Sequence, residues 1–258
     1  RTTLTYTAPQ LPLSNQVVEV ELVLREEVHE SLWQMSRSGV GLSLDTELSE
    51  KSNLRLSTWL EQRQIQDVDA GIFLSGEEWL DYLSAENLSL PSAWRFQPSL
   101  NLLAIRDNRN DQLDPTSGSI ISLMSEIVPG SMGSDSVAVN RPTSLKGEFR
   151  ASSFKQVRGL NFRTSIDLGY NHAFGDGVVA FEDRFRLGGT GSLRGYNHES
   201  VGPHNETSPV DVAWPTALAP IVDATNSNSP TRWVATGGDT KATFVAEMLV
   251  PLPLLGLN

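Results

Sequence analysis

Apolar and polar residues alternate along much of this chain with a period of two. The longest run covers residues 160–170, and its apolar side begins at Leu160 and Phe162 and ends at Leu168 and Tyr170. This alternation predicts a β-strand with one apolar and one polar face. A tilted strand needs roughly 9–11 residues to cross a bilayer. The run is therefore long enough for a membrane strand.

Similar patterns recur on both sides of this run. They lie at residues 18–25, 40–48, 54–61, 145–151 and 243–250, with less regular but strand-like segments around 98–107 and 118–127 and at the start of the chain, Thr2 to Thr7. Several are separated by only a few turn residues, which is typical of an antiparallel meander. The pattern predicts an all-β antiparallel protein.

Two connections are long. Residues 64–97 include a segment with helical character, Gly76 to Glu86, and residues 197–239 are rich in proline and asparagine with little pattern. Long loops at one end and short turns at the other are typical of an outer-membrane barrel. A soluble β-sandwich also has alternating strands, so the alternation alone leaves both architectures open.

Composition narrows the possible functions. The 258 residues carry a net charge of -11, which disfavours a nucleic-acid partner because phosphate binding needs a basic surface. The chain has no cysteine and therefore no disulfide or thiolate chemistry. No run approaches the roughly 18 apolar residues of a transmembrane helix. Neutral hydropathy is nevertheless compatible with alternating barrel strands.

The strongest candidate site is the glycine-rich segment from Phe185 to Tyr196. Its glycines allow backbone that other residues avoid, and we expect a hinge at Gly188, Gly189 and Gly191. An arginine held on such a loop, Arg194, can present its donor fork to a carboxylate. In the last strand Glu247 falls on the face opposite the apolar residues, so it is a candidate partner.

A second cluster of charged residues lies between two predicted strands. Asp107, Arg109 and Asp114 could suggest a metal or acid–base site, but no histidine stands near them. Aspartates commonly cap the backbone amides of a turn, so a structural role for these three residues is favoured. The four histidines lack ligand spacing, and no nucleophile or phosphate-loop pattern is present. We expect no enzyme activity, no metal and no cofactor.

In order and spacing these segments resemble the BamA/TamA-like outer-membrane assembly factors of the bacterial surface antigen barrel superfamily. Leu193-Arg194-Gly195-Tyr196 resembles the family's Leu/Val-Arg-Gly-Phe/Tyr loop, and residues 244–253 resemble the strand that follows it. Leu24 to Glu27 and the two strands after it resemble mid-barrel strands. The family's turn motif is matched by Arg106, Asp107, Asp114, Pro115, Thr116 and Gly118.

The resemblance implies a transmembrane β-barrel of roughly 16 strands, of which this chain supplies about the middle nine. Residues 1–258 are then a fragment of a single barrel domain, with extracellular loops at about 64–97 and 172–240. The terminal strands and the preceding POTRA repeats are expected outside this chain. The loop is expected to fold into the lumen and to be locked there by Arg194 and Glu247, together with Leu193, Gly195 and Tyr196.

The resemblance also implies a function and partners. We expect a protein of the bacterial outer membrane, with an organelle outer membrane less favoured, that inserts other β-barrel proteins or translocates polypeptides. Its partners would be membrane lipid, unfolded β-barrel clients and periplasmic accessory proteins that bind the preceding repeats. The alternatives are a two-partner-secretion-type transporter, a passive channel and, less favoured, a soluble β-sandwich binding module.

Overall fold

The strands of this protein form one large antiparallel sheet and one small hairpin. The computed structural model describes residues 2–7, 16–29, 33–66, 95–130, 143–175, 179–207 and 232–250. The strands are β1 (Thr2–Thr7), β2 (Gln16–His29), β3 (Trp33–Ser49), β4 (Ser52–Gln66), β5 (Arg95–Asp107), β6 (Ser117–Val128), β7 (Ser144–Val157), β8 (Leu160–Ala173), β9 (His204–Thr207), β10 (Arg232–Ala235) and β11 (Thr240–Leu249).

The large sheet has nine strands in the order β1-β2-β3-β4-β5-β6-β7-β8-β11, and every neighbouring pair is antiparallel. Each alternating segment of the sequence forms one strand of this sheet. The all-β antiparallel prediction is confirmed. Strands β8 and β11 are joined by a long connection, and its described part contains other elements.

The small hairpin in that connection was not predicted from the sequence. Strands β9 and β10 pair as a separate two-stranded sheet. Each has only four residues, too few to produce a recognisable period-two pattern. The helical segment predicted at residues 76–86 lies outside the described residues. The described part of the chain contains no helix that is both long and apolar enough to cross a membrane.

The cross-strand register sorts the side chains of the large sheet onto two faces. One face carries a continuous band of apolar residues: Leu123 of β6 pairs with Phe149 of β7, which pairs with Leu168 of β8. Many of these side chains are well exposed, among them Leu42, Leu100, Leu123 and Phe244. An exposed apolar band this extensive marks a surface that meets lipid or protein rather than water.

The opposite face is polar and charged, and many of its charges form ion pairs. Arg55 of β4 binds Asp45 of β3 at 2.6 Å and Glu19 of β2 at 3.4 Å. Arg150 of β7 contacts Glu148 at 2.8 Å and Asp167 of β8 at 3.4 Å. The predicted polar face therefore contains ion pairs, and several of them connect strands.

Side chains of the connection between β5 and β6 hold its backbone in place through hydrogen bonds. Asn110 accepts the amides of Thr116 and Ser117 at 3.0 and 2.9 Å and donates to the Thr116 hydroxyl at 2.8 Å. Asp111 accepts the amides of Leu113 and Asp114 at 2.7 and 2.9 Å, and these bonds lower the pKa of its carboxyl. At Gly118, φ is 100°, and a side chain would collide with the Asn108 carbonyl.

Neighbouring residues of β6 provide a test of which face meets lipid. Leu123 lies in the apolar band, whereas Met124 faces the charged side opposite Glu148. We expect Leu123→Arg to reduce the free energy of folding into lipid vesicles by about 2–4 kcal/mol, because a cation in the hydrocarbon region is poorly solvated. Met124→Arg should cost much less. Urea titration of the vesicle-inserted protein measures both, and equal costs would contradict the assignment of the faces.

Candidate functional site: the loop on the polar face of the sheet

The chain between β8 and β11 returns along the polar face of the sheet. A short 3₁₀ helix, Phe181–Asp183, begins the described part of this loop, and two backbone bridges follow, Phe185 with Gly238 and Leu187 with Val201. Arg194 lies at the tip and contacts Glu247, seven positions after the first residue of β11, Thr240. At about 3.4 Å per residue, the tip lies about 24 Å along that strand.

At the tip, Arg194 Nη1 lies 3.0 Å from Glu247 Oε1. Arg163 of β8, the register partner of Glu247, places its Nη1 3.6 Å from the other carboxylate oxygen. Glu247 is thus held between a strand arginine and the loop arginine. The Arg194 side chain is 72% exposed, so this pair is only partly removed from solvent.

Glycines and one serine shape the tip. Gly188, Gly189 and Gly195 have φ of 121°, 82° and 89°, in the region that favours glycine. A side chain at Gly188 would collide with the Asn197 carbonyl. Ser192 Oγ accepts the Gly188 amide at 2.7 Å and donates to the Gly188 carbonyl at 2.9 Å, which closes the turn.

The remaining predicted loop residues have fewer constraints. Gly191 has no atom within 4 Å of an added Cβ, so the space there is open. Leu193 lines a cavity of about 550 Å³ between the tip and the strands. Tyr196 is 61% exposed, and its carbonyl accepts the Gly189 amide at 3.0 Å.

An aromatic anchor below the tip is a feature that sequence reasoning missed. The Phe185 ring is 8% exposed and lies against Gly169 of β8, where an added Cβ would be 2.7 Å from the ring. Lys146 and Lys241 place their ammonium groups 4.8 and 5.0 Å from the ring centroid. This geometry allows cation–π attraction on a strand surface that only glycine leaves open.

Lys241 also connects the aromatic anchor to the charged face. Its Nζ lies 2.8 Å from Glu148 Oε2 and 3.1 Å from Asp167 Oδ2, and its side chain is 9% exposed. One buried cation therefore contacts β7, β8 and the loop. Period-two alternation places Lys241 on the polar face, but it does not reveal which loop residue will cover it.

Two arginines hold the base of the loop. Arg186 donates to the carbonyls of Phe181, Ala235 and Thr236 at 2.9, 3.0 and 3.0 Å. Arg184 is 5% exposed and donates to the Val179 carbonyl at 3.0 Å. Arg186 lies within the glycine-rich segment and Arg184 directly precedes it, yet nothing in the sequence predicts that Arg186 will bind the carbonyls of residues 235 and 236.

The base of the loop also touches strands directly. Asn171 of β8 is 2% exposed and donates to the Asp183 carbonyl at 3.1 Å. Arg63 of β4 approaches Asp183 at 3.8 Å. Since β4 and β8 are separated by three strands in the sheet, the loop lies across the polar face rather than beside one edge.

The predicted turn motif lies apart from this loop, at the end of the sheet with short turns. Arg109 binds Asp107 with two contacts, at 2.9 and 2.6 Å, and Asp114, Pro115 and Thr116 continue the turn to Gly118. Arg106 is exposed. Within the described ranges no group of three histidine, aspartate or glutamate side chains is arranged to hold a metal ion.

The comparisons with known proteins decide the family. The family described as the Omp85 superfamily domain matches residues 1–258. The chain belongs to the Omp85 superfamily. The fold of BamA from Haemophilus ducreyi, in a crystal structure lacking POTRA domains 1-3, matches with a TM-score of 0.73 at 16% identity, over 98% of this chain and 45% of that chain. The barrel prediction is thereby confirmed.

Sequence relatives of this Omp85 chain cover a shorter part of it. A SAM50-like protein of Schizosaccharomyces pombe is 27% identical over 124 residues, 46% of this chain and 25% of that protein. The sorting and assembly machinery component 50 homolog of Bos taurus is 31% identical over 116 residues, 45% of this chain and 23% of that protein. The aligned part spans about a quarter of these relatives.

The anchor beneath the loop can be tested with a single thiol, because the chain has no cysteine. In an Asn171→Cys reporter the thiol lies under the base of the loop. We expect Lys241→Met to cost on the order of 2 kcal/mol of docking free energy, since two carboxylates lose their shared cation. Maleimide labelling of the reporter should then accelerate about thirtyfold, by the conversion of about 1.4 kcal/mol per factor of ten.

Lys241→Arg keeps the charge and is the matched control for this experiment. Phe185→Ala should accelerate labelling as well, because it removes the ring that covers Gly169. Unchanged labelling in Lys241→Met would show that the loop is held without this cluster.

Proposed function

We propose that this protein is the barrel of an outer-membrane assembly factor, which inserts other β-barrel proteins or translocates polypeptides, and that the β8–β11 loop is its internal lock. The observation that carries the proposal is the contact of Arg194 with Glu247, about 24 Å along β11 on the polar face of an Omp85 sheet. No chemical step is required of it, and we propose that it is not an enzyme.

The proposed mechanism rests on strand-edge pairing. In an assembly factor of this kind, a weakly paired seam exposes backbone groups that template an incoming client strand. A barrel that opens and recloses must keep its remaining wall in register. The loop contributes to this because it contacts β4, β7, β8 and β11 at once. We propose that it stiffens the wall while the seam works.

The proposed partners follow from this role. The apolar band would meet membrane lipid, and the clients would be unfolded β-barrel proteins. Accessory proteins would bind repeats preceding the barrel in the parent protein. The structural relative is bacterial and the sequence relatives come from a yeast and a mammal. We favour a bacterial outer membrane, and an organelle outer membrane fits the same barrel.

A channel or two-partner-secretion-type transporter is the rival function, since the charged face would also suit an aqueous passage. Deletion of residues 185–203 separates the two. An assembly factor should lose client insertion, whereas a channel should gain ion conductance and leave barrel insertion unaffected. Planar-bilayer conductance and a client-insertion assay on the same preparation give both readouts.

Reversing charges at the tip tests the lock directly. We expect Arg194→Glu to slow client insertion roughly tenfold, because it replaces an attraction with a repulsion, each worth on the order of 0.5–1 kcal/mol for a partly exposed pair. The measurement is the rate at which a β-barrel client becomes protease-resistant in vesicles that carry the full-length protein.

Rescue requires three changes rather than two. Glu247→Arg alone would face Arg163, which lies 3.6 Å from that carboxylate. Combining Arg163→Glu, Arg194→Glu and Glu247→Arg inverts both contacts and should recover much of the rate. Full activity of the single Arg194→Glu variant would refute the lock.

A further inference from the structure

Among the strand side chains that the structure describes, those on the lipid-facing side of the sheet include very few charges. The cross-strand register and the exposure of the side chains show on which face each charged residue lies. All but two of the described charged residues in the strands lie on the polar face. The exceptions are Arg106 of β5, in the row of Leu100 and Leu102, and Lys155 of β7, in the row of Phe149. Both are cations, and both lie near the ends of their strands at the short turns.

Two more cations lie in the turns at this end of the sheet. Lys51 is in the two-residue turn between β3 and β4, and Arg158 is in the turn between β7 and β8 with φ of 53°. All four side chains are exposed, and none of them forms an ion pair with another described residue. We call Lys51, Arg106, Lys155 and Arg158 the cationic rim.

A shallow pocket lies within the rim. It has a volume of about 390 Å³ between the β3–β4 turn and the β5–β6 turn, and it is lined by Ser49, Glu50, Lys51, Ser52, Arg106 and Asn108. Two cations beside hydroxyl and amide groups are suited to bind a phosphate group.

The walls of the pocket are fixed in place. The Asp107 amide donates to the Lys51 carbonyl at 2.8 Å, which ties the two turns together. The Asn108 amide donates to the Ser119 carbonyl at 2.7 Å. A pocket with walls held by backbone bonds loses little freedom when it binds a ligand.

Apolar residues continue directly from the rim along the same face. Arg106 pairs with Ile121, which is 38% exposed, and Lys155 pairs with Phe162, also 38% exposed. Long cationic side chains at the edge of an apolar band extend their charges toward the headgroup layer. A ligand suited to both surfaces has a phosphate at one end and hydrocarbon at the other.

We propose that the cationic rim binds the phosphates of acidic lipid headgroups in the leaflet on the short-turn side of the barrel. The proposal rests on the membrane barrel of the proposed function. Three acids in the turns at this end are Glu50, Asp111 and Asp114, and Glu50 lines the pocket. None of the three lies in the lipid-facing row of a strand, where the described charges are cations. An acidic protein segment would lack the hydrocarbon that the adjoining band accommodates.

The test compares lipid retention by the full-length protein in nanodiscs of phosphatidylcholine mixed with phosphatidylglycerol. Native mass spectrometry measures the bound phosphatidylglycerol. We expect the variant with Gln at all four rim positions to retain at least about tenfold less phosphatidylglycerol. Each cation near an acidic surface contributes roughly a factor of five to the binding constant. The charge-preserving variant, with Lys51→Arg, Arg106→Lys, Lys155→Arg and Arg158→Lys, is the control and should retain the lipid.

Other arms of the experiment identify the ligand and separate the two proposals. Displacement of phosphatidylglycerol by inorganic phosphate, but not by chloride at equal ionic strength, would indicate a free-phosphate site and overturn the lipid assignment. Equal retention by the Gln variant would overturn it too, as would capture of an acidic protein in place of lipid.

If the Gln variant fails to fold, Lys51→Gln with Arg158→Gln, confined to turns, should still lower retention severalfold. Failure of the unaltered protein to insert into any bilayer would instead refute the proposed barrel function.

Discussion

A segment that crosses a membrane must pair its backbone groups within the protein, because hydrocarbon offers them no partner. This requirement determines the arrangement seen here. Nine antiparallel strands satisfy their backbones through neighbours, and the period of two then divides their side chains into a lipid face and a charged face. The ion pairs of the charged face follow from that division, since the described cations that face inward lie near an acid on their own strand, on a nearby strand or in the loop. The loop between β8 and β11 depends on those pairs, because its anchor at Phe185 lies against Lys146 and Lys241.

The strands were predictable because their signal is local. A period-two pattern over about eight residues specifies both a strand and the orientation of its side chains, so the polar position of Glu247 could be inferred without coordinates. The short strands β9 and β10 carry too few residues for such a signal. The turn between β5 and β6 is an intermediate case: its proline and glycine mark a turn, whereas the clamp formed by Asn110 with Thr116 and Ser117 requires knowledge of the backbone path.

The loop site was only partly predictable, for a physical reason. Arg194 could be paired with Glu247 because family resemblance supplied a partner that spacing could not. Lys241, Gly169 and Phe185 come from three separate segments, and their packing depends on how the loop crosses the sheet. Gly169 illustrates the difficulty. In the sequence it is a glycine within a strand, which usually weakens the strand. In the structure a Cβ at this position would lie 2.7 Å from the Phe185 ring, so the packing of the loop requires glycine here.

The distribution of charge between the two faces connects the loop with the membrane. Many charges on the inner face are paired with one another, so they connect the strands and the loop. The charges of the cationic rim have no partner among the described residues, and they occur where the cost of a cation on the lipid face falls to about 0–1 kcal/mol. The proposed binding of acidic headgroups at this rim would attach the short-turn end of the barrel to the surface of the membrane.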